Sequence, residues 1–159
     1  MTGPDVTGEA TGPTESAQGV DMALEVVTLP VSDVDRAKSF YESLGWRLDI
    51  DLVVSDDIRT VQLTPPHSPC SIQFGKGGTA AEPGSAAGMI LVVTDIDAAR
   101  EDLVSRGVDV SEVQESRPPG FDSQGGRSYF ARARFSDPDG NNWQLQEITT
   151  RLPGREWEN

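Results

Sequence analysis

The sequence contains an internal repeat of one supersecondary unit. Residues 31–37 (VSDVDRA) return as residues 93–99 (VTDIDAA), and residues 43–45 (SLG) return as residues 105–107 (SRG). Each matched pair is separated by 62 positions. A constant offset across a strand end, a helix start and a helix stop indicates two tandem copies of one unit. The repeat therefore constrains the fold before any single motif is considered.

Each copy predicts the element order β-α-β-β-β. Asp33 and Asp95 are predicted N-caps, and Gly45 and Gly107 are predicted helix stops. Apolar periodicity and turn residues place the strands of the first copy at 24–29, 46–54, 58–64 and 71–74. The strands of the second copy are predicted at 89–93, from Val108 onward, at 128–135 and at 142–147, with a turn at 137–140.

The same patterns divide the chain into regions. Residues 1–22 are rich in Gly, Thr, Pro, Ser and Glu with little to bury, and they are predicted to be a disordered leader. One domain is expected over 23–149, with a C-terminal tail at 150–159. Within the domain we expect module 1 at about 23–75, a linker at 76–87 and module 2 at about 88–149.

Composition excludes several classes of function. The net charge of −13 argues against a nucleic-acid partner, because a phosphate backbone would be repelled. The single cysteine, Cys70, rules out an internal disulfide framework. No apolar run reaches membrane-spanning length, and residues 1–21 lack a signal-peptide pattern, so we expect a cytoplasmic protein without a membrane partner. The acidic charge serves either solubility or attraction of a cationic ligand.

Four short motifs, taken in order, resemble the vicinal oxygen chelate superfamily. They are LPVSD at 29–33, FY at 40–41, LGW at 44–46 and FSDPDGN at 135–141. That group includes glyoxalase I, extradiol dioxygenases, and fosfomycin- and bleomycin-resistance proteins. The resemblance implies an α+β fold in which two tandem βαβββ modules form a curved, cup-shaped mixed sheet. It also implies a small-molecule ligand in the cup, which a second subunit often completes, and hence a homodimer.

In the metal enzymes of this superfamily, four side chains in the cup hold the ion. The resemblance assigns those positions to Val26, Gln73, Gly88 or Met89, and Gln144. Valine and glycine side chains cannot ligate a metal, and a glutamine amide is a weak substitute for a carboxylate. The only histidine, His67, falls in a predicted loop. The sequence therefore predicts that the metal site is absent and that no cofactor is needed.

The predicted ligand contacts fall into two groups. Strand positions facing the cup would contribute hydrogen bonds or walls, with aromatic side chains nearby for stacking: Val26, Gln73, Met89, Gln144, Trp46 and Phe130. The long loop 120–127 would contribute a cover, an anion and a cation: Phe121, Asp122 and Arg127. Aromatic residues in such positions are also common in cores, and the loop is equally well explained as a plain surface loop.

These residues favour a metal-independent small-molecule-binding protein that sequesters a drug or metabolite, as bleomycin-resistance proteins do. The ligand would be aromatic or cationic, and the residues at the metal-ligand positions favour binding over catalysis. The alternative is a glyoxalase-like lyase, isomerase or dioxygenase with a non-standard or absent metal site. Its candidate carboxylates are Glu25, Asp49, Asp51, Asp122 and Glu147, of which Asp49 and Asp51 are expected to share a strand face. A third alternative is a structural or regulatory partner without a ligand.

Overall fold

The computed structural model describes residues 19–120, 126–152 and 155. Module 1 contains β1 (Val26–Thr28), α1 (Val34–Ser43), β2 (Arg47–Ser55), β3 (Ile58–Thr64) and β4 (Ser71–Lys76). Module 2 contains β5 (Met89–Val93), α2 (Ile96–Ser105), β6 (Gln114–Glu115), β7 (Ala131–Ser136) and β8 (Asn142–Glu147). The predicted leader therefore lies mostly outside the described residues, as does most of the predicted tail.

The strands form two four-stranded mixed sheets, ordered β1-β4-β3-β2 and β5-β8-β7-β6. In each sheet the first strand of the module pairs in parallel with the last, and the remaining pairs are antiparallel. The α+β fold of two tandem βαβββ modules is thus confirmed. The two sheets have the same strand order because the repeat encodes the same unit twice.

Both helices begin and end where the repeat predicts. The carboxylate of Asp33 accepts the N–H of Arg36 at 3.0 Å, and that of Asp95 accepts the N–H of Ala98 at 3.0 Å. Each bond satisfies one of the free donors in a helical first turn. After each helix the chain turns at a glycine in the left-handed region, with φ of 84° at Gly45 and 88° at Gly107.

A single hydrophobic core joins the two modules. Tyr41 of α1 lies at its centre, fully buried, with its ring 5.1 Å from Trp46 and 6.1 Å from Trp143. The Tyr41 hydroxyl donates to Asp137 Oδ2 at 2.8 Å and accepts the indole N–H of Trp143 at 2.9 Å. Asn141, also fully buried, donates to the carbonyl of Pro30 in the other module at 2.9 Å. Polar and apolar contacts therefore fix the modules against each other.

Two predicted strands differ from the structure. The segment from Val108 forms no strand before β6, because the Ser111 hydroxyl accepts the N–H of Arg134 that a ladder carbonyl would otherwise take. The strand predicted from Ser128 begins only at Ala131. Residues 127–131 form a turn in which the Arg127 carbonyl accepts two N–H groups, and Tyr129 adopts a positive φ of 69°.

Strand β4 is longer than predicted and includes Gly75. This residue pairs with Thr60 of β3 in the sheet. A Cβ atom built at position 75 would lie 1.8 Å from the Arg59 carbonyl oxygen. Glycine is therefore required here by the close approach of a neighbouring backbone and is not part of a flexible connector.

Candidate functional site

Each sheet packs one of its faces on the core, and its other face does not contact the core. In the second sheet, Ala131, Ala133 and Phe135 of β7 are buried, whereas Arg132 and Arg134 between them are exposed. The same alternation runs along the neighbouring strands because successive side chains point to opposite sides. We call the side opposite the core the open face of each sheet.

The open face of the second sheet carries two arginines, a half-buried glutamine and two apolar side chains. Gln144 pairs with Ile90 of β5 on one side and with Arg134 of β7 on the other. Ile90 and Val92 remain 51% and 43% exposed, respectively. Strand residues that are paired in register project to the same side of a sheet. Ile90, Val92, Arg132 and Arg134 were not predicted as site residues, although the alternation Ala-Arg-Ala-Arg marks the two arginines.

The open face of the first sheet is built in the same way. Gln73 pairs with Thr28 of β1 and with Gln62 of β3. Its side-chain amide donates to the Thr28 hydroxyl at 3.0 Å, so both side chains project to one side. Ile50 and Leu52 of β2 pair with Gln62 and Thr60 and are 43% and 54% exposed. Gln73 and Gln144 thus occupy equivalent positions in the two sheets.

The register settles the ambiguity between Gly88 and Met89. Thr28 pairs with Gln73 as Ile90 pairs with Gln144, and Ile90 lies 62 positions after Thr28. By the same offset Gly88 is the counterpart of Val26. Met89 pairs with buried Trp143 and packs against the core, so its side chain does not lie on the open face.

The resemblance assigns the metal positions of related enzymes to four residues of the two modules. They are Val26, Gln73, Gly88 and Gln144, of which two have no ligating atom and two end in neutral amides. Divalent ions in proteins select carboxylates, imidazoles and thiolates. Across the part of the chain that the structure describes, no three His, Cys, Asp or Glu side chains are grouped so that they could hold a metal ion.

The two described aromatic residues that were predicted to contact a ligand lie in different environments. Trp46 is buried in the core, with its ring 5.3 Å from that of Trp143, and it does not lie on the open face. Trp46 belongs to the same buried cluster as Tyr41 and Phe74, and these apolar surroundings favour burial of its indole over exposure on the open face. Phe130 is half-buried just before β7, with the guanidinium of Arg117 at 5.0 Å from its ring centre. That cation–π contact fixes the ring beside the second sheet.

The predicted binding loop is described only in part, since Phe121 and Asp122 lie outside the described residues. Arg127, at the end of this loop, lies 2.6 Å from Asp97 and 2.8 Å from Glu115. The hydrogen bond to Asp97 raises the pKa of the guanidinium and holds the pKa of the Asp97 carboxyl below its usual value. Its charge is thus already compensated by two carboxylates.

Asp49 and Asp51 do not share a strand face as predicted. A β-bulge between Leu48 and Ile50 changes the alternation of β2 at this point. Asp49 accepts hydrogen bonds from Thr64 and Gln62 on the open face. Asp51 accepts from Arg59 at 3.0 Å and from Lys38 at 2.8 Å beside α1. The pKa of each carboxyl is lowered by these partners, Thr64 first for Asp49 and Arg59 first for Asp51.

Two cavities adjoin β5. The larger, of about 830 Å³, lies between the loop 65–70, the apolar side chains of Ile90 and Val92, and the segment 148–151. The smaller, of about 360 Å³, lies where β1 and β5 approach each other and is lined by Val27, Ile72 and Met89 among others. His67 and Cys70 line the larger cavity, so the loop that carries them borders the open face.

Fold and site together define a βαβββ protein that presents polar amides, arginines and apolar side chains on its open faces. The family model described as the Glyoxalase/Bleomycin resistance protein/Dioxygenase superfamily matches residues 23–145. The chain belongs to that superfamily. No curated protein matches the chain significantly.

Solved structures resemble the chain over most of its length. TnmS3, described as an antibiotic binding protein from Streptomyces sp. CB03234, is 29% identical with a TM-score of 0.66, over 83% of this chain and 100% of that one. A glyoxalase/bleomycin resistance protein from the same organism is 31% identical with a TM-score of 0.61, over 78% and 99%. A superfamily member from Sphaerobacter thermophilus DSM 20745 is 30% identical with a TM-score of 0.63, over 80% and 98%.

The lengths of the helices bear on the expectation that the chain has no membrane-spanning segment. Both α1 and α2 contain ten residues. Within the described ranges, no helix combines the length and the apolar character needed to cross a bilayer.

Proposed function

We propose that this protein binds a small organic molecule on its open faces, without a metal ion and without transforming it. One observation carries the proposal: neutral amides stand at two of the positions that the resemblance assigns to metal ligands, and exposed apolar side chains surround them. The amides are those of Gln73 and Gln144, and the apolar side chains are Ile50, Leu52, Ile90 and Val92. Apolar walls with a few polar groups are typical of small-molecule sites.

The similarity to TnmS3 supports a sequestering role. That protein is described as antibiotic binding, and it shares the fold of this chain over its whole length. Sequestration requires affinity but no reacting group. A site made of amides and aliphatic side chains satisfies that requirement, because it supplies hydrogen bonds and apolar contact.

The carboxylates suit catalysis poorly. A general base works best with a pKa near the working pH. A carboxylate would need a raised pKa to meet this condition. Hydrogen bonds from neighbouring side chains instead lower the pKa values of Asp49 and Asp51 below their usual range. Glu147 is buried, and its Oε2 accepts the N–H of Ile96 at the start of α2 at 3.0 Å. We therefore assign these three carboxylates structural roles.

We further propose that two copies of the chain associate. Strand β2 is the edge of its sheet, nine residues long, and large apolar side chains are exposed along it. These side chains include Leu48, Ile50, Leu52, Val53 and Val54. A long apolar edge of this kind invites pairing with another chain. A second copy covering β2 would also wall the open face of the first sheet.

Titration of open-face variants tests the proposal. A panel of aromatic antibiotics is screened by thermal shift, and any compound that binds is titrated against Gln73→Leu, Gln144→Leu and the double variant. Each lost amide hydrogen bond, at about 0.5–1.5 kcal/mol, weakens binding about two- to tenfold. Glu101→Leu, an exposed change on α2, serves as the matched control and leaves affinity unchanged. Wild-type affinity in the double variant, or binding only after a divalent metal is added, would contradict the proposal.

A further inference from the structure

We infer that the open face of the second sheet recognises an anionic group of the ligand through Arg132 and Arg134. The inference rests on the proposed function and specifies the ligand class: an apolar molecule that carries a carboxylate or a comparable anion. It replaces the cationic ligand that the net charge of the chain suggests, because a site responds to the charges beside it more than to the total.

The two arginines are adjacent on one side of β7. Arg132 and Arg134 are two residues apart, so their Cα atoms are about 7 Å apart on the same face of the strand. Arg134 pairs with Gln144 and Arg132 pairs with Gln146. The Gln146 amide is buried and donates to the Tyr129 carbonyl at 2.9 Å, whereas Gln144 is only half-buried. Arg134 and the Gln144 amide are thus neighbouring donors on the open face.

Neither guanidinium group has a partner among the described residues. Among the residues that the structure describes, no carboxylate lies within 4.0 Å of either group, and neither side chain makes a hydrogen bond. Most other cations of the chain are in ion pairs with carboxylates: Arg36, Lys38, Arg47, Arg59, Arg100, Arg106, Arg117 and Arg127.

The lack of carboxylate partners for Arg132 and Arg134 among the described residues is informative because the chain is acidic. It contains 26 Asp and Glu residues against 13 Lys and Arg residues, so carboxylates are abundant. Within the described ranges, two neighbouring arginines are nevertheless unpaired on the face that also carries Gln144 and exposed Ile90. A guanidinium presents a planar set of donors that matches a carboxylate in two parallel hydrogen bonds. An anionic ligand group supplies the partner that the protein does not.

The apolar surroundings define the rest of the ligand. Ile90 and Val92 are exposed on β5, which is separated from the arginines of β7 by β8, and they also line the cavity of about 830 Å³. Partial removal of water by an apolar body strengthens the contact between guanidinium and anion, because the local dielectric falls. A simple salt ion lacks that body, so we expect an apolar acid to bind better than acetate.

A matched pair of probes tests the inference. The compounds 2-naphthoate and 2-naphthamide share one ring system and differ in charge. Each is titrated into the ¹⁵N-labelled full chain at pH 7.5, with NMR shifts reporting both affinity and location. We expect shifts in β7 and β8, at least fivefold tighter binding of the acid, and a loss of that preference at 300 mM NaCl compared with 20 mM.

Three variants complete the test. Arg132→Gln and Arg134→Gln, singly and together, are expected to reduce the affinity for naphthoate to that for naphthamide. Lys76→Gln removes one positive charge from the side of the first sheet opposite its open face. This control variant is expected to keep the fivefold preference for naphthoate over naphthamide. Thermal unfolding of each variant verifies that the fold is retained.

The outcomes separate this inference from the proposed function. If both compounds bind equally well on the open face, the protein is a binder but the anion preference is refuted. If neither compound shifts any open-face residue, the proposed site and the inference fail together. The last outcome concerns the oligomeric state. If the double arginine variant is a monomer where the wild-type protein is a dimer, and the two probes bind alike, the arginines hold the partner copy and the inference is overturned.

Discussion

The hydroxyl of Tyr41 links the two modules at the centre of the core, and its removal gives a sharp test of the fold. It donates to Asp137 Oδ2 and accepts from Trp143, two residues of the second module. Burial and the nearby Asp137 carboxylate raise the pKa of the phenol, so it stays a neutral donor at physiological pH. Tyr41→Phe deletes one oxygen and keeps the ring.

The expected cost follows from the two lost bonds. A hydrogen bond to a charged acceptor contributes about 1.5–3 kcal/mol, and a buried donor left without an acceptor costs about 1–3 kcal/mol. Asp137 Oδ2 keeps the amide of Asn141 as a donor at 2.8 Å, which limits the first loss. The indole N–H of Trp143 is left without its acceptor. We expect Tyr41→Phe to lower the free energy of unfolding by about 3–5 kcal/mol.

Urea denaturation followed by tryptophan fluorescence measures this loss. The chain's other tyrosine provides the matched control, because the hydroxyl of Tyr129 accepts one N–H, from Leu152, at an exposed position. Tyr129→Phe is expected to cost under about 1 kcal/mol. A similarly small loss in Tyr41→Phe would refute the view that this hydroxyl ties the modules together.

Three further changes probe other contacts by urea unfolding. Gly75→Ala is expected to cost about 1–3 kcal/mol because its Cβ would meet the Arg59 carbonyl, whereas Gly78→Ala, with no atom nearby, is expected to be neutral; equal effects would contradict this. Asp51→Asn is expected to flatten the acid limb of the stability profile. The Asp51 pKa is lowered on folding, so its contribution is present above about pH 4 and lost below it, and an unchanged limb would be the contrary result. Asn141→Ala removes three hydrogen bonds, two of them buried, and is expected to cost about 2–4 kcal/mol; a loss below about 1 kcal/mol would contradict this.

The helix boundaries were predictable because their causes are local. Asp33 and Asp95 cap the helices through their own side chains, and Gly45 and Gly107 take the left-handed conformation that ends them. Such signals lie within a few residues of each other, so they can be read without tertiary information. The repeat then extends the assignment from one module to two.

The faces of the strands were predictable only where the alternation is regular. Gln73 and Gln144 lie between buried neighbours and were placed correctly opposite the core. Asp49 and Asp51 were misplaced because a bulge in β2 interrupts the alternation. A bulge depends on how two strands pair, and the sequence of one strand does not reveal it.

The environments of other predicted site residues depend on partners that are distant in sequence. Trp46 follows a helix stop and could pack on either side, and the contact with Trp143 that buries it lies far along the chain. Arg127 is compensated by Asp97 and Glu115 on two other elements. Arg132 and Arg134 lack such partners among the described residues, a property that depends on the tertiary structure and is not visible in the sequence.

Native mass spectrometry of the purified protein tests the central claim most directly. The claim is that the open face binds an organic molecule and that Gln73 and Gln144 replace metal ligands there. We predict a dimer whose mass is that of two polypeptides, with any additional mass due to an organic compound that is released on denaturation. One divalent ion per subunit, retained through buffer exchange and removed by a chelator, would contradict the account.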